Sequence, residues 1–519
     1  TNYRYSAVSN ATGQYSIPQL REGAYEVRAQ AQGFREVVVR DLQLAARDIR
    51  RVDLRLEVGT VESTVQVTAG ATLIETETAR IGDTRTSAAF KDLPLNTRGL
   101  ADFIALTPNV GRSSTTDSQR RFSGSRMNQN DAQIDGISIS GGRASGGIGP
   151  LMSYVESFQE VRVDTANNSA EFGPIGMVTI ISRSGNNRFH GSAFDYYSTP
   201  WFRARNPFSP SRPTGIAHFP GNSAGGPVFV PKVYDGRNRT FFFHSLEVSR
   251  GSARQDLLNP TVAPVPWRTG DFSLERGVAI RDPFGGNQPF SGNRMPASRL
   301  NPVTRKIQER FFPVPNFGDP NAFQVQNFRE VKVRGFDPDT YWTSRIDHRF
   351  SDKSSLFGRI TWNHGENSAY EGNLPAIGQL VNPRDTRSAT VSYTQLLPRN
   401  LVNEFRWGLT FNDNPRHGPV MGAQLAQELG LQGLAPNLPD INGLYRVAFS
   451  GIGLTGINQT QWRHPGFASL AYHFQDHLSW YHGRHSVKAG ALLGRSRFRD
   501  GQASQNLFGF GNFSNRFSG

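Results

Sequence analysis

Three glutamates, Glu156, Glu160 and Glu171, and four histidines, His473, His477, His482 and His485, come closest in this sequence to a reactive constellation. Paired carboxylates would do general acid–base work, and clustered imidazoles would hold a metal ion. Neither reading survives the spacing. No His or nucleophile stands at a fixed distance from the glutamates, which fall on strand and turn positions where structural or salt-bridging roles are expected. His473 and His477 share one strand face, but four strand residues separate them by roughly 13 Å, too far for two ligands of one ion. Cysteine is absent, so disulfides and thiolate sites are excluded. No catalytic residue and no cofactor is therefore expected. The net charge of +14 raises nucleic acid as a partner. The Arg and Lys are spread along the chain without a basic run or a nucleic-acid motif, so nucleic acid is not expected, and the charges suit loops and a wet interior.

The elements that position these residues read as β-structure. Hydrophobic residues make up 37% while Gly (53) and Phe (36) are abundant, which suits many exposed strands and turns better than one large core. No apolar run approaches the length of a membrane helix, so helical spanning is excluded, whereas a barrel leaves only a weak hydropathy signal. In the second half, Ala389, Val391 and Tyr393 alternate with Ser388, Thr390, Ser392 and Thr394. After the turn Leu397-Pro398-Arg399-Asn400, Phe405, Trp407, Leu409 and Phe411 alternate with Glu404, Arg406, Gly408 and Thr410. The same two faces recur as Trp342, Ile346 and Phe350 against Thr343, Arg345, Asp347 and Arg349, then as Ile360 and Trp362 against Arg359 and Thr361. They recur again as Leu470, Tyr472, Phe474, Leu478 and Trp480 against His473, Gln475, His477 and Ser479.

Alternation alone also fits a soluble sandwich. Loop rhythm separates the two. Strands are predicted near 188–198, 218–230, 239–250, 339–350, 354–364, 386–396, 401–412, 468–480 and 484–499. Their connections alternate between tight turns and long loops, with the longest at 251–338 and 413–467. Short turns on one side and long loops on the other are the layout of an outer-membrane barrel, and strands near ten residues fit a tilted crossing. Lipid demands closure of the sheet, and plugged outer-membrane transporters use 22 strands. About nine are predicted here, a partial barrel.

Residues 1–58 alternate in short stretches, Tyr3–Val8, Gly13–Ile17, Ala24–Gln30, Arg35–Leu42 and Ile49–Leu56, with turns at Asn10–Gly13 and Arg21–Gly23. Gly13/Tyr15, Pro18/Leu20, Gly23/Tyr25 and Gly33/Phe34 follow in the order of the carboxypeptidase regulatory-like domain, which this run resembles. That resemblance implies a small, non-catalytic β-sandwich.

In residues 59–185, Val65, Gln66, Val67 and Thr68 suit an extended segment that adds to another protein's sheet edge. Leu100, Phe103, Ile104 and Leu106 recur at helical spacing after Asn96-Thr97, and Pro108 ends that helix. "FSGSRMNQNDAQIDGISIS" carries Arg126, Asn128, Asp135 and Gly136. "VESFQEVRVDTANNSAEFGPIGMVTIISRSGNNRFHGSAFDYY" carries a strand at Glu160–Thr165, a turn with Glu171 and Gly173, and a strand at Gly176–Ser182. These segments resemble the plug of TonB-dependent receptors, especially the Oar-like branch. In the barrel region, "GNSAGGPVFVPKVYDGRNRTFFFHSLE" resembles an Oar-like segment ending in Asn-Arg-Thr-Phe-Phe-Phe, and "TGDFS", "GNRMPASRLNPVTRKI" and "FFPVPN" resemble that branch's first long extracellular loop.

The resemblance implies a mainly β chain of three parts: a β-sandwich at 1–58, an α+β plug at 59–185, and the first part of an antiparallel transmembrane β-barrel at 186–519. It implies the bacterial outer membrane, contact with outer-membrane lipid, an extracellular ligand held by the long loops, and energy delivered by the TonB protein through Val65–Thr68. That segment reads equally as a plain connecting strand. An adhesion or export barrel of the same fold, and a soluble multi-domain β enzyme, are the other readings. No signal peptide opens the chain, and both termini are expected to be cut edges of a longer protein.

Overall fold

The computed structural model describes residues 4–17, 20, 22–59, 64–68, 79–87, 89, 99–112, 120–126, 129–139, 155–205, 212, 215–370, 373–415, 422–431, 441–442, 446–457, 462–463, 467–482, 485–499 and 510–513. Strand β1 (Gly23–Ala29) runs antiparallel to β2 (Glu36–Leu44), and β3 (Thr64–Thr68) runs parallel to β2 on its other side, from Glu36↔Thr64 to Arg40↔Thr68. Val37, Val38 and Val39 at the centre of β2 are buried. Ile49–Leu56 alternates in burial as the sequence implies but joins no hydrogen-bonded ladder. It is held extended in part by the Tyr15 hydroxyl, which donates to the Val52 carbonyl at 2.7 Å. Arg4–Val8 and Gly13–Ile17 likewise lie outside the ladders.

The middle of the chain folds around a five-stranded sheet of order β4–β7–β8–β5–β6. Its members are β4 (Ile81–Thr86), β5 (Asn130–Ile134), β6 (Ile137–Ser138), β7 (Phe158–Ala166) and β8 (Gly176–Ser182). β8 pairs antiparallel with β7 and parallel with β5. Helix α1 (Leu100–Ile104) covers this sheet. Leu100, Phe103, Ile104, Ile134, Phe158, Val161 and Ile180 form its core, joined by Tyr341 from the barrel. Leu106, expected on the same helix face, lies past the helix end and is half exposed. The N-cap candidates Asn96 and Thr97 lie outside the described residues.

Nine antiparallel strands follow in chain order, each bonded to the next: β9 (His190–Ser198), β10 (Ala217–Pro227), β11 (Thr240–Gly251), β12 (Asp339–Ser351), β13 (Ser354–Tyr370), β14 (Gln379–Leu397), β15 (Leu401–Asn414), β16 (Phe467–His482) and β17 (His485–Arg499). The sheet is a curved wall that does not close on itself. Its faces invert the order of a soluble protein. Inward-facing Thr343, Arg345, Asp347, Arg359, Thr361, Asn363, Ser388, Thr390 and Gln475 are buried, while outward-facing Ile346, Ile360, Phe350 and Phe474 are 46–56% exposed. No second sheet covers that apolar face among the described residues, as expected of a wall that faces lipid.

At the end opposite the tight turns, the long loops build a separate core. Helix α2 (Pro302–Phe311), N-capped by the Asn301 side chain, packs with helix α3 (Gly422–Leu429). Val262, Phe311, Phe328, Leu374, Ile377, Leu425 and Ile457 fill the space between them. The buried Asn327 side chain bonds both the N–H and the carbonyl of Val262, at 2.8 and 2.9 Å, as a strand neighbour would. Val262 and Phe311, Leu374 and Ile377, and Leu425 and Ile457 come from three different loops, which this core ties into one cap.

Candidate functional site: the contact between the inner sheet and the wall

The sharpest feature of the molecule is the place where a hairpin of the inner sheet meets the polar face of the wall. β5 and β6 are joined by Asp135-Gly136, both at positive φ (51° and 83°), as a two-residue hairpin with a type I′ turn requires. Two contacts leave little room at this tip. A Cβ on Gly136 would stand 2.6 Å from Arg406 Nη1, and one on Gly408 of β15 would stand 2.4 Å from Ile137 Cγ2.

The Asp135 carboxylate is buried and accepts from four donors. Within the inner sheet these are the Ser182 N–H (3.0 Å) and the Ser182 hydroxyl (2.8 Å). From the wall come Arg359 Nε (2.7 Å) and Arg345 Nη1 (3.3 Å). Arg345 also forks onto Asp347, with Nε and Nη2 each donating at 2.9 Å, and its guanidinium carbon lies 4.0 Å from the centre of the Phe357 ring. Arg359 also donates to Thr361 (2.6 Å), Thr390 (2.8 Å) and Ser388 (3.5 Å), and the Ser184 hydroxyl donates to Asp347 at 2.7 Å. Two carboxylates thus face two guanidiniums with solvent shut out. Such a balanced buried cluster fixes position and register more than it adds net stability.

Lesser contacts surround it. Gln475 Nε2 donates to the Gly136 carbonyl at 3.1 Å, and the Tyr341 and Ser157 hydroxyls are 3.3 Å apart. Glu171, on the turn before β8, pairs with Lys488 of β17; burial raises its pKa, but the lysine and the Ser169 hydroxyl bring it below the usual value. Glu156 accepts from Arg183 at 3.0 Å and from the Ser192 hydroxyl at 3.2 Å.

A second polar junction ties the inner sheet to the N-terminal part. The Ala46 N–H donates to Glu160 at 2.6 Å, Arg162 pairs with Asp48 at 2.9 Å, and Arg47 pairs with Asp164 at 2.5 Å and lies over Phe172. Burial, with Glu22 and Asp48 adding to it, pushes the Glu160 pKa up to about 7 against the pull of the Ala46 N–H and Arg162.

Of the residues singled out in the sequence, Asp135, Gly136 and Glu171 lie at the inner-sheet–wall contact. Arg126 is exposed, away from this cluster, with its backbone N–H on the Gln129 side chain. Gly173 has neither a positive φ nor a neighbour that a Cβ would meet, so nothing in its surroundings calls for glycine. Asn128 lies outside the described residues. Val65, Gln66, Val67 and Thr68 lie on β3, paired along β2. The sequence pattern turns Arg345, Asp347 and Arg359 inward without assigning them a partner, and the alternation that carries them inward is the one available signal. Among the described residues no group of three or more His, Asp or Glu could hold a metal ion.

A wall with polar residues inward and apolar residues outward, tight turns at one end and a loop cap at the other, is the build of an outer-membrane β-barrel. Residues 181–519 match the outer membrane beta barrel domain, and the chain belongs to that family, whose place is the outer membrane. Residues 1–57 match the carboxypeptidase regulatory-like domain. The chain is 26% identical over 199 residues to the TonB-dependent transporter Oar of Myxococcus xanthus, a stretch that covers 36% of this chain and 18% of that protein. The resemblance to TonB-dependent receptors drawn from the sequence thus stands. Among solved structures, the siderophore receptor PirA of Acinetobacter baumannii aligns with a TM-score of 0.47 at 12% identity, covering 81% of this chain and 48% of that one. The outer membrane transporter YddB of Escherichia coli aligns at 0.45 and 11%, covering 80% and 48%. The chain therefore spans about half the length of these structures and less of the curated relative.

Proposed function

We propose that this chain is the front part of a TonB-dependent transporter in which residues 59–185 plug the barrel, and that it moves a ligand rather than transforming one. The observation that carries this reading is the Asp135–Arg345–Arg359 cluster. It joins the inner sheet to the wall through charge and hydrogen bonds, which water can replace once the contact opens. An apolar seam would resist wetting. The tight Asp135-Gly136 turn and the bare Gly408 let the hairpin approach the wall closely. The long loops would capture the ligand, and Val65–Thr68 would be the strand that the TonB protein takes up by edge addition, delivering energy from the inner membrane. The ligand is left unnamed, because no loop motif specifies one.

Deleting Val65–Thr68 from the full-length protein and measuring energy-dependent uptake of the ligand tests this. Loss of uptake with an intact barrel is expected, and unaltered uptake would overturn the TonB-driven reading. The second reading, an adhesion or export barrel, draws on the cap. Its loops carry their own apolar core around Val262, Phe311 and Ile457, which suits a fixed display surface.

A further inference from the structure

Asn222 of β10 and His244 of β11 put an amide and an imidazole on the side of the wall that meets lipid. The register fixes this. Ser223, Ser245 and Thr343 lie abreast on β10, β11 and β12 and are buried inward, so Asn222, His244, Trp342 and Ser344 beside them face outward. Both strands have bonded neighbours on each side, β9 and β11 for β10, β10 and β12 for β11. Burial alternates residue by residue through 220–225 and 241–249, so the outward placement owes nothing to the open edges of the sheet. Ser344, the register partner of His244, stands seven residues above Ser351 at a tight turn. At about 3.4 Å per residue and a tilt of about 40°, the group lies roughly 16–18 Å above that turn, well inside an apolar band about 25 Å tall.

The two side chains are left with one donor and one amide to satisfy. The Trp342 indole N–H donates to His244 Nδ1 at 3.0 Å, and the Ser344 hydroxyl lies 3.0 Å from the same nitrogen. An indole nitrogen can only donate, so Nδ1 is an acceptor and the imidazole proton sits on Nε2. That N–H finds no acceptor, and the Asn222 amide makes no hydrogen bond, among the described residues. Unpaired polar groups of this kind are costly in hydrocarbon, where no water stands in. Their heights match. Ser354 at one tight turn faces Gln395, two residues above the next tight turn at Leu397, so level positions shift by one residue per strand. That brings Asn222 to within about 3 Å of the height of His244 on the adjacent strand. Ala224, the register partner of His244, is exposed between them and leaves the strip shallow.

We infer that the outward strip of β10 and β11 is the contact between two copies of this chain in the membrane, with His244 Nε2–H of each copy donating to the Asn222 amide oxygen of the other. Two copies inserted the same way round pair through a two-fold axis along the membrane normal, so residues of equal height meet. A donor and an acceptor at one height on adjacent strands then satisfy each other twice. Two convex walls touch along a strip only a few strands wide, which adjacent strands fit. Lipid tails offer no acceptor, and headgroups do not reach this depth. The contact depends on the outer-membrane location alone and not on the transport reading.

The test is thiol cross-linking of the full-length protein in outer membranes, in a background free of other cysteines. Ala224→Cys should be joined by a short bis-maleimide into a species of twice the mass. Ile360→Cys, on the same face two strands from β11, should not. Adding N222A or H244A to A224C should cut the cross-linked yield about tenfold, since each substitution removes both symmetric hydrogen bonds. The exchange N222H/H244N keeps a donor opposite an acceptor and should recover part of the loss. Heat-dependent gel mobility verifies that each variant is folded. No cross-linked dimer at position 224, or a yield indifferent to both N222A and H244A, would overturn the contact. Cross-linking of position 224 to a protein of another mass would overturn the second copy as its occupant.

Discussion

The carboxylate of Asp135, at the tip of an inner hairpin, lies 2.7 Å from Nε of Arg359 on the barrel wall, and both side chains are almost wholly closed to solvent. The two residues are 224 positions apart in the chain, and the contact decides where the inner sheet sits.

Removing one partner should therefore cost more than the pair contributes. Asp135→Ala leaves the guanidiniums of Arg345 and Arg359 with one carboxylate between them and is expected to destabilise the seated inner sheet by about 3–5 kcal/mol. Limited proteolysis of residues 120–185 and denaturant unfolding of the full chain would both report it. Protection equal to that of the wild type would show that the cluster does not hold the sheet.

Close approach at the hairpin tip should be sensitive to a single methyl group. Gly408→Ala places a carbon against Ile137, and Gly136→Ala adds strain at φ 83° to a collision with Arg406. Each is expected to loosen the inner sheet by about 1–3 kcal/mol. Gly358→Ala, where a Cβ meets nothing within 4 Å, is the matched control and should be silent. Thermal unfolding of the three variants separates these outcomes.

The junction at Ala46 should weaken with rising pH. Glu160 has a folded-state pKa near 7, above its ordinary 4.5, so the folded state holds the proton more tightly than the unfolded chain does. Stability from this group is fully present below about pH 4.5, falls as pH rises to about 7, and is flat beyond. The whole effect is a few kcal/mol, because each tenfold gain in proton affinity on folding is worth ~1.4 kcal/mol. Glu160→Gln keeps an oxygen for the Ala46 N–H and should flatten the profile. Hydrogen exchange at Ala46 between pH 5 and 8 would check this; a wild-type profile as flat as the variant's contradicts it.

On the transport reading, the β3 strand has to be free to pair elsewhere. It lies along Glu36–Arg40, so a periplasmic partner that adds a strand must share or displace that pairing. Val67→Pro removes one backbone donor from an edge segment. It is expected to abolish capture by the purified periplasmic domain of TonB while leaving the barrel folded. Undiminished capture would mean that the partner reads another segment.

Much of the wall is legible in the sequence because alternation is strict where one side meets lipid and the other meets polar groups. The strands predicted at 339–350 and 401–412 appear as Asp339–Ser351 and Leu401–Asn414. The strand predicted at 386–396 is longer in the structure, since Gln379–Leu397 continues past the apolar band, where the outward face no longer has to be greasy. Ile49–Leu56 alternates just as well and forms no ladder, because alternation fixes which side a residue faces and says nothing of a hydrogen-bonding neighbour. The same limit hides the site. Arg345 and Arg359 can be turned inward from the pattern, but their pairing with Asp135 is a tertiary event between distant stretches with no local signature.

The claim beneath all of this is that the nine strands have lipid on one side and the inner sheet on the other. The chain has no cysteine, so single cysteines at Ile346, Ile360 and Phe474 (outward) and at Ser388 and Thr390 (inward) can carry a fluorophore and be tested in vesicles against a lipid-borne and a water-borne quencher. The outward sites should be quenched from the lipid and spared by the water-soluble agent, and the inward sites spared by both until the chain is unfolded. Quenching of positions 346, 360 and 474 from water, with none from lipid, would contradict the account.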